Sequence, residues 1–589
     1  MSGLPPTRRG GRVRTACDLC RQRKIRCDNA NPACETCRLA FVPCIFTESS
    51  PPPRKDAKTR LAEAEAQIQE LEALIAAQDS SREPHQSACP EYFPLQNLAG
   101  DYLPDLYDCD TAMSMFQWHI AHCGMGTSQS AQRASFSSVV HQQTGSYLDV
   151  DRLLYHLSQS FKLQVPAESK RIVSQKWPPV DLIRRCIQHF AKAGLYSVFP
   201  LVNTQALEEL LDSDIMNDPP NSTPTANVAC LIALTAMVTQ MHRLEPVFAD
   251  ADPDAYMQTV LTLLPRILME EISLRTLETV VILARSASLL LAMAVRMLYS
   301  LGGNRYCAIH EAEGSHLRAL FWLCYGLDKD MAIRFGYPPL MKDEDCDLQL
   351  PDNYVLSSSD HQFFMKPLSS QELLFPSDIR LSLIKSKVYH LLYSDYGRGQ
   401  PQARRLQYIR ELDQELRDLK SSFPASCWPD LFATESERNY SFHDLSIRGV
   451  NLHLEYYFCL GRIHSAVSPY SQEWSFLPSS ADLFYQESRT MLLYISRIRD
   501  FLNWHTFWIH AQFILTAVLS LFRHLITEPN APTFGNDLRL LGSIVEIFTD
   551  LDHESRATRH FAPFFFTAGL TRRLIFLAKQ AASKVHPDQ

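Results

Sequence analysis

Six cysteines within twenty-eight residues constrain this chain more than any other feature. The stretch reads C-x2-C-x6-C from Cys17 through Cys20 to Cys27, then six residues, then C-x2-C-x6-C again from Cys34 through Cys37 to Cys44. Two close thiols followed by a third is metal-ligand spacing, and here it is written twice. One tetrahedral zinc takes four ligands, so two zincs need eight positions. Six thiolates fill eight positions only if two of them bridge both metals. The repeat singles out the first thiol of each copy, Cys17 and Cys34. One zinc would take Cys17, Cys20, Cys27 and Cys34, the other Cys34, Cys37, Cys44 and Cys17. Three disulfides in any of fifteen pairings are the rival chemistry, but they need an oxidising compartment. The N-terminus, M-S-G-L-P-P-T-R-R, lacks the apolar stretch of a signal peptide. A one-zinc module would leave two thiols unexplained.

The two copies differ between their cysteines. The first carries Arg21, Arg23, Lys24 and Arg26, the second Leu39, Ala40, Phe41, Val42 and Pro43. The first half is expected to face a polyanion and the second to pack or support. Asp18 and Glu35 each follow the first thiol of a copy, where a carboxylate suits the positive end of a short helix. This stretch resembles the binuclear zinc cluster of fungal transcription factors, through all six cysteines, the segment R-Q-R-K-I-R and the loop proline Pro32. The resemblance implies two Zn(2+) ions per chain, double-stranded DNA as partner and a first helix in the major groove. It further implies that Lys24 reads bases, typically of a CGG triplet, and that Pro32 shapes the loop as a cis proline. Arg21, Arg23 and Arg26 are expected on phosphates, which position without specifying. Arg14 and its neighbours in the basic tail 1–16 suit phosphates too, or nuclear import.

Charge supports this division. Residues 1–60 hold 13 Lys and Arg against 5 Asp and Glu, whereas the whole chain is at -8, so the remaining body is strongly acidic. A basic head on an acidic body places the nucleic acid at the head. After the cluster (17–44), residues 45–60 form a linker stiffened by Pro51, Pro52 and Pro53. Residues 61–78 then place Leu61, Ile68 and Ile75 seven apart with Leu71 between, a heptad seam on a helix-forming sequence. In the cluster family a coiled coil at this place commonly dimerises the protein, so a homodimer is expected. An amphipathic helix folded onto the body is the alternative. Residues 79–104 are a second linker, and the Ser/Gln-rich stretch 124–147 reads as a loop.

The body, 105–560, reads as helical. Its apolar runs exceed ten residues, are rich in Leu, Ala and Met, and show no period-two alternation. The longest, Ser286 to Val295, is too short to span a bilayer, so no membrane is expected. Two stretches, Asp181 to Val202 and His316 to Met341 with the acidic turn after it, also resemble the middle homology region of those factors. This implies an all-α regulatory domain, with 561–589 as a helical tail. Leu317, Leu320, Phe321, Cys324 and Leu327 share one helix face, which Gly336, Pro338 and Pro339 terminate. There is no G-x-S-x-G, no phosphate-binding G-x-x-x-x-G-K and no H-E-x-x-H, so no catalytic residues are assigned. His310, Glu311, Glu313 and His316 read as a solvated helix face rather than a metal site, and the ten other cysteines as buried free thiols. The fold class is thus a small zinc-cluster domain, a short coiled coil and a large all-α domain. The expected function is a nuclear, zinc-dependent, sequence-specific regulator of RNA polymerase II transcription working with co-regulators, possible targets being a metabolic or secondary-metabolite gene cluster. The rival is a small-molecule receptor or enzyme-like body with an accessory DNA-binding head.

Overall fold

The computed structural model describes residues 16–45 apart from Lys24, and most of 109–585. The breaks in the latter are 124–128, 165–175, 214–223, 243–245, 285–287, 306–311, 352, 355–371, 424–446, 467–477, 500–501, 504–505 and 557–559. The chain divides into two compact units, residues 1–92 and 93–589. The expected tail with Arg14, both linkers and the heptad residues Leu61, Ile68, Leu71 and Ile75 lie outside the described residues.

In the first unit two short helices, α1 (Asp18–Gln22) and α2 (Glu35–Leu39), each start on the residue after a copy's first thiol. Both carry their acid in the first turn, as the sequence predicts. Sulfur occupies the interior: Cys17, Cys20, Cys34 and Cys37 are fully buried. The apolar segment of the second copy, expected to pack or support, does not pack into the interior of this unit. Leu39, Phe41 and Val42 are exposed, Phe41 at 97%. A module of this size has no second layer to cover them, and the sulfurs already fill its centre.

The second unit is helical throughout the described residues, with only an isolated bridge between Tyr354 and Leu373. It opens with α3 (Cys109–Cys123), α4 (Gln129–Thr144) and α5 (Val150–Gln164). Helix α4 replaces the loop expected at 124–147. Its last turns bury Val140, and Thr144 Oγ1 donates to the Val140 carbonyl at 2.7 Å, so packing overrides its polar composition. There follow α6 (Val180–Lys192), α7 (Leu195–Val198), α8 (Thr204–Asp212), α9 (Thr225–Met241), α10 (Pro253–Ile267), α11 (Leu274–Ala284) and α12 (Ser288–Ser300). Helix α9 is apolar on every side, so it must sit centrally, and it packs against α10, α11 and α6. These helices and much of α13 (Ala312–Phe335) enclose one of two apolar cores. Helix α13 ends at Gly336, whose φ of +72° takes the chain out of the helix, as expected.

The other core takes α3 to α5, the end of α13, and seven more helices. These are α14 (Ile379–Val388), α16 (Gln402–Ser421), α17 (Ile447–Ser465), α18 (Pro478–Arg497), α19 (Phe507–Thr527), α20 (Phe534–Arg556) and α21 (Ala562–Val585), while the one-turn α15 (Asp395–Arg398) lies between α14 and α16 in the chain. Helix α19 is long and apolar enough to cross a membrane by length and composition, which exceeds the sequence expectation, but it lies inside this core against α3 and α18. The segment expected as a helical tail, 561–589, supplies α21, and this helix is packed into the core rather than trailing from it. Phe564, Phe566, Leu570, Leu574 and Leu577 are buried, because α20 and α21 cover each other's apolar faces.

Two polar clusters were placed wrongly or missed by sequence. His316 does not lie on a solvated face: it is buried, with Nε2 3.0 Å from Glu278 Oε1 and Nδ1 2.8 Å from the Tyr196 hydroxyl. Glu278, also held by Arg275 at 2.6 Å, is the one acid in the apolar helix α11, and its burial requires partners. His310 and Glu311 are outside the described residues. The second cluster joins α13, α14 and α17. Lys385 Nζ lies 2.9 Å from Asp330 Oδ1 and 2.8 Å from Glu455 Oε2, while Arg334 Nε reaches Asp330 Oδ2 at 2.7 Å. Burial alone would strip the Lys385 proton, but the two carboxylates overcome that and hold the ammonium above its ordinary range. Removing the lysine leaves carboxylates buried without their cation. Lys385→Met should therefore cost about 3–5 kcal/mol of stability, read from the urea unfolding midpoint. A loss below about 1 kcal/mol would show the network to be dispensable.

Candidate metal centre and nucleic-acid interface

The six sulfurs form two overlapping groups. Cys17, Cys20, Cys27 and Cys34 make one, Cys17, Cys34, Cys37 and Cys44 the other, and within each group every sulfur lies within 4.8 Å of the others. Cys17 and Cys34 belong to both, the two positions that the repeat singled out. No disulfide links any of them. Cys17 Sγ stands 3.7 Å from Cys34 Sγ and 3.6 Å from Cys37 Sγ, and Cys20 Sγ 3.8 Å from Cys34 Sγ. A tetrahedron of Zn–S bonds near 2.3 Å has sulfur–sulfur edges of ~3.8 Å. Donor type, donor number and edge length therefore fit two zincs sharing Cys17 and Cys34. Bound there, zinc would supply no catalysis but a fixed centre for both helices.

The surrounding backbone prepares these sulfurs. Cys34 N–H donates to Cys44 Sγ and Cys37 N–H to Cys34 Sγ, both at 3.4 Å. Such donors orient and stabilise thiolates around a metal. The Cys20 backbone N–H draws the Cys17 pKa down to about 6, while burial pushes Cys20 up to about 12. Zinc takes thiolates, so binding metal here must displace protons from the sulfur group. The scaffold closes through Asp18 N–H, which donates to the Ile45 carbonyl at 2.9 Å. Asp28 accepts from Glu35 N–H at 3.1 Å, capping α2. Sequence reasoning passed over Asp28, although a carboxylate seven residues before a helix start carries no signal that spacing alone can read. The Asn31–Pro32 peptide is cis.

Of the expected DNA contacts, Arg23 and Arg26 are exposed and have no acidic partner among the described residues. Arg21 lies on α1, its side chain outside the description, and Lys24 and Arg14 are outside it altogether. On the second copy, Arg38 faces Glu35 at 3.9 Å. Its charge is locally offset, so the basic surface is that of the first copy. Residues 15–53 match the fungal Zn(2)-Cys(6) binuclear cluster domain, and residues 271–421 match the fungal specific transcription factor domain. Both domains of a fungal zinc-cluster transcription factor are present.

Relatives agree with this reading. The chain is similar to an ABC-transporter-regulating transcription factor of Aspergillus fumigatus, 23% identical over 92% of this chain and 70% of the relative. A counterpart from Aspergillus oryzae, with the same description, is 22% identical over the same shares. An abscisic acid cluster transcription factor of Leptosphaeria maculans is 39% identical, but over only 12% of this chain. The matches are to transcription factors rather than enzymes, and zinc binding and DNA binding are properties of the matched cluster domain.

The shared sulfurs make a sharp expectation. Metal analysis of the wild-type protein should return two zincs. Cys34→Ser, which touches both groups, should lose both to a mild chelator, whereas Cys27→Ser, which touches one, should keep one. One zinc in the wild type, or equal loss in the two variants, would overturn the bridged arrangement.

Proposed function

We propose that this factor is a nuclear regulator of RNA polymerase II transcription that reads CGG-type half-sites as a homodimer, and that transporter genes are among its targets. The observation that carries the reading is the pair of overlapping four-sulfur groups, with α1 and the exposed cations Arg23 and Arg26 beside them. Two zincs shared through Cys17 and Cys34 would fix both ends of the segment from Cys20 to Cys27, and with them the direction in which Lys24 points. A lysine can donate to O6 and N7 of guanine, a pattern that only a G·C pair offers in the major groove. Arg21, Arg23, Arg26 and Arg14 would hold phosphates and set the register. The transporter assignment rests on length of likeness. Two relatives alike over 92% of this chain are named for ABC-transporter regulation, whereas the likeness to the abscisic acid cluster factor is too short to include the helical body.

Base reading separates from phosphate binding by experiment. Lys24→Ala should weaken binding to a CGG-containing duplex by about 1–3 kcal/mol and affect random DNA much less. Arg26→Ala should weaken both about equally and reduce the salt slope by roughly one. Equal loss on both duplexes for Lys24→Ala would remove it from base reading.

Pairing is assigned to Leu61, Ile68, Leu71 and Ile75 in residues 61–78, since an 18-residue helix of about 27 Å is marginal alone and gains stability from a partner. Replacing Ile68 and Leu71 by Asp should convert dimers to monomers in the ultracentrifuge and abolish preference for paired half-sites. The linker 45–60, extended at ~3.1 Å per residue, reaches about 50 Å, which bounds half-site separation. A wild-type monomer would refute the pairing.

A further inference from the structure

The second cysteine copy ends in an apolar turn that nothing covers among the described residues. Leu39 is 72% exposed, Phe41 97%, Val42 43% and, just past Cys44, Ile45 58%. The turn is held by its own backbone. Ala40 N–H donates to the Thr36 carbonyl at 3.1 Å, Phe41 N–H to the Arg38 carbonyl at 3.3 Å and Val42 N–H to the Cys37 carbonyl at 3.1 Å. Phe41 has a φ of +53°, a left-handed conformation that glycine or asparagine adopts at less cost than a bulky side chain. A phenylalanine held there contributes nothing to the interior, so its ring stabilises only what it meets outside the fold. A turn already ordered also loses little further freedom when its ring is covered.

Charge and area identify what covers it. Arg21, Arg23, Lys24 and Arg26 make the first copy cationic, so two clusters repel each other through that face. On the second copy Glu35 lies 3.9 Å from Arg38 and offsets it. The segment from Leu39 to Pro43 carries no charge at all. It is the face through which two clusters can approach, and an apolar, neutral patch is complementary to itself across a two-fold axis. With a bare aromatic side chain at about 150–250 Å² and an aliphatic one below that, the four exposures amount to roughly 500 Å² per copy. A stable interface takes ~800 Å² from each partner. The patch is therefore too small to capture a partner from solution. It is large enough to couple two molecules that one duplex already holds side by side, where the effective concentration reaches about the millimolar range.

We propose that two clusters of this factor on neighbouring half-sites touch each other through Leu39, Phe41, Val42 and Ile45, and that this contact selects the spacing between the half-sites. The linker alone sets only an upper bound on that spacing, whereas a contact between rigid modules picks one value. The proposal rests on the DNA-reading proposal for its neighbouring half-sites and does not depend on the heptad helix.

The test uses the full chain on duplexes with one half-site or two, the separation of the two being varied base pair by base pair. The half-site is the one that the wild-type chain selects from a random pool. The wild type should bind one separation at least about tenfold more tightly than the separations on either side of it. Phe41→Asp should erase that optimum while keeping single-site affinity and zinc content. Phe41→Asn, which suits the left-handed backbone and adds no charge, should do the same. Chains carrying Phe41→Asp mixed with chains carrying Phe41→Lys should recover the optimum, because opposite charges then meet, while neither recovers it alone. No optimum in the wild type, or an optimum unchanged in both Phe41→Asp and Phe41→Asn, would overturn the proposal. Weakened single-site binding by Phe41→Asn at full zinc content would overturn it in favour of a contact with DNA. Selection of a half-site unlike CGG would remove the earlier reading and leave the spacing profile to decide this one, and a chain that selects no sequence would overturn both.

Discussion

A lysine ammonium cannot stay buried in an apolar interior unless opposite charge goes in with it, and the helical body is arranged around one such case. Lys385 sits in α14 between Asp330 of α13 and Glu455 of α17, and Ser377 adds a hydroxyl to Glu455 at 2.5 Å. Arg334 extends the cluster, donating to the Ile509 carbonyl of α19 at 2.7 Å. Four helices are thereby fixed by contacts that tolerate little sliding, since a displacement of an ångström would strand a charge. Apolar packing alone would hold them together but would not choose one register. Helices α13 and α14 contribute side chains to both cores, so the cluster sets how one core meets the other.

The same pair of helices explains why the acidic segment after α13 is ordered. Asp343 accepts from the Tyr325 hydroxyl and the Ser386 hydroxyl, both at 2.9 Å, and Lys329 donates to the Met341 carbonyl. Asp328 accepts from Leu340 and Met341 N–H at 2.8 and 3.0 Å. Asp328 and Asp343 thus brace the turn against α13 and α14, while Glu344 and Asp345 stay exposed on it.

What sequence shows and hides follows from the range of each interaction. The cluster was legible because its ligands are local: Cys17 and Cys34 are separated by one loop, and their spacing encodes the sharing of two sulfurs. The end of α13 was legible for the same reason, since Gly336, Pro338 and Pro339 act within one turn. Helix α4 was not, because its Ser and Gln residues carry no helical stripe and its order comes from α19 and α21, hundreds of residues later. The placing of His316 failed likewise, since Glu278 and Tyr196 reach it only through the fold. The exposed Phe41 misled in the other direction. Apolar residues ordinarily signal a core, but in a module centred on sulfur the core is already full. The heptad helix and Lys24 were read from sequence alone, and lie outside the described residues.

The two units obtain their order from different physics, and this separates their responses. In the first, the interior is thiol, so ordering depends on deprotonation and metal, and little apolar area is buried to compensate for losing them. In the second, two apolar cores and the Lys385 cluster supply the order. Zinc withdrawal is therefore expected to undo the first unit through its thiols, whereas the order of the second rests on apolar burial and on buried ion pairs.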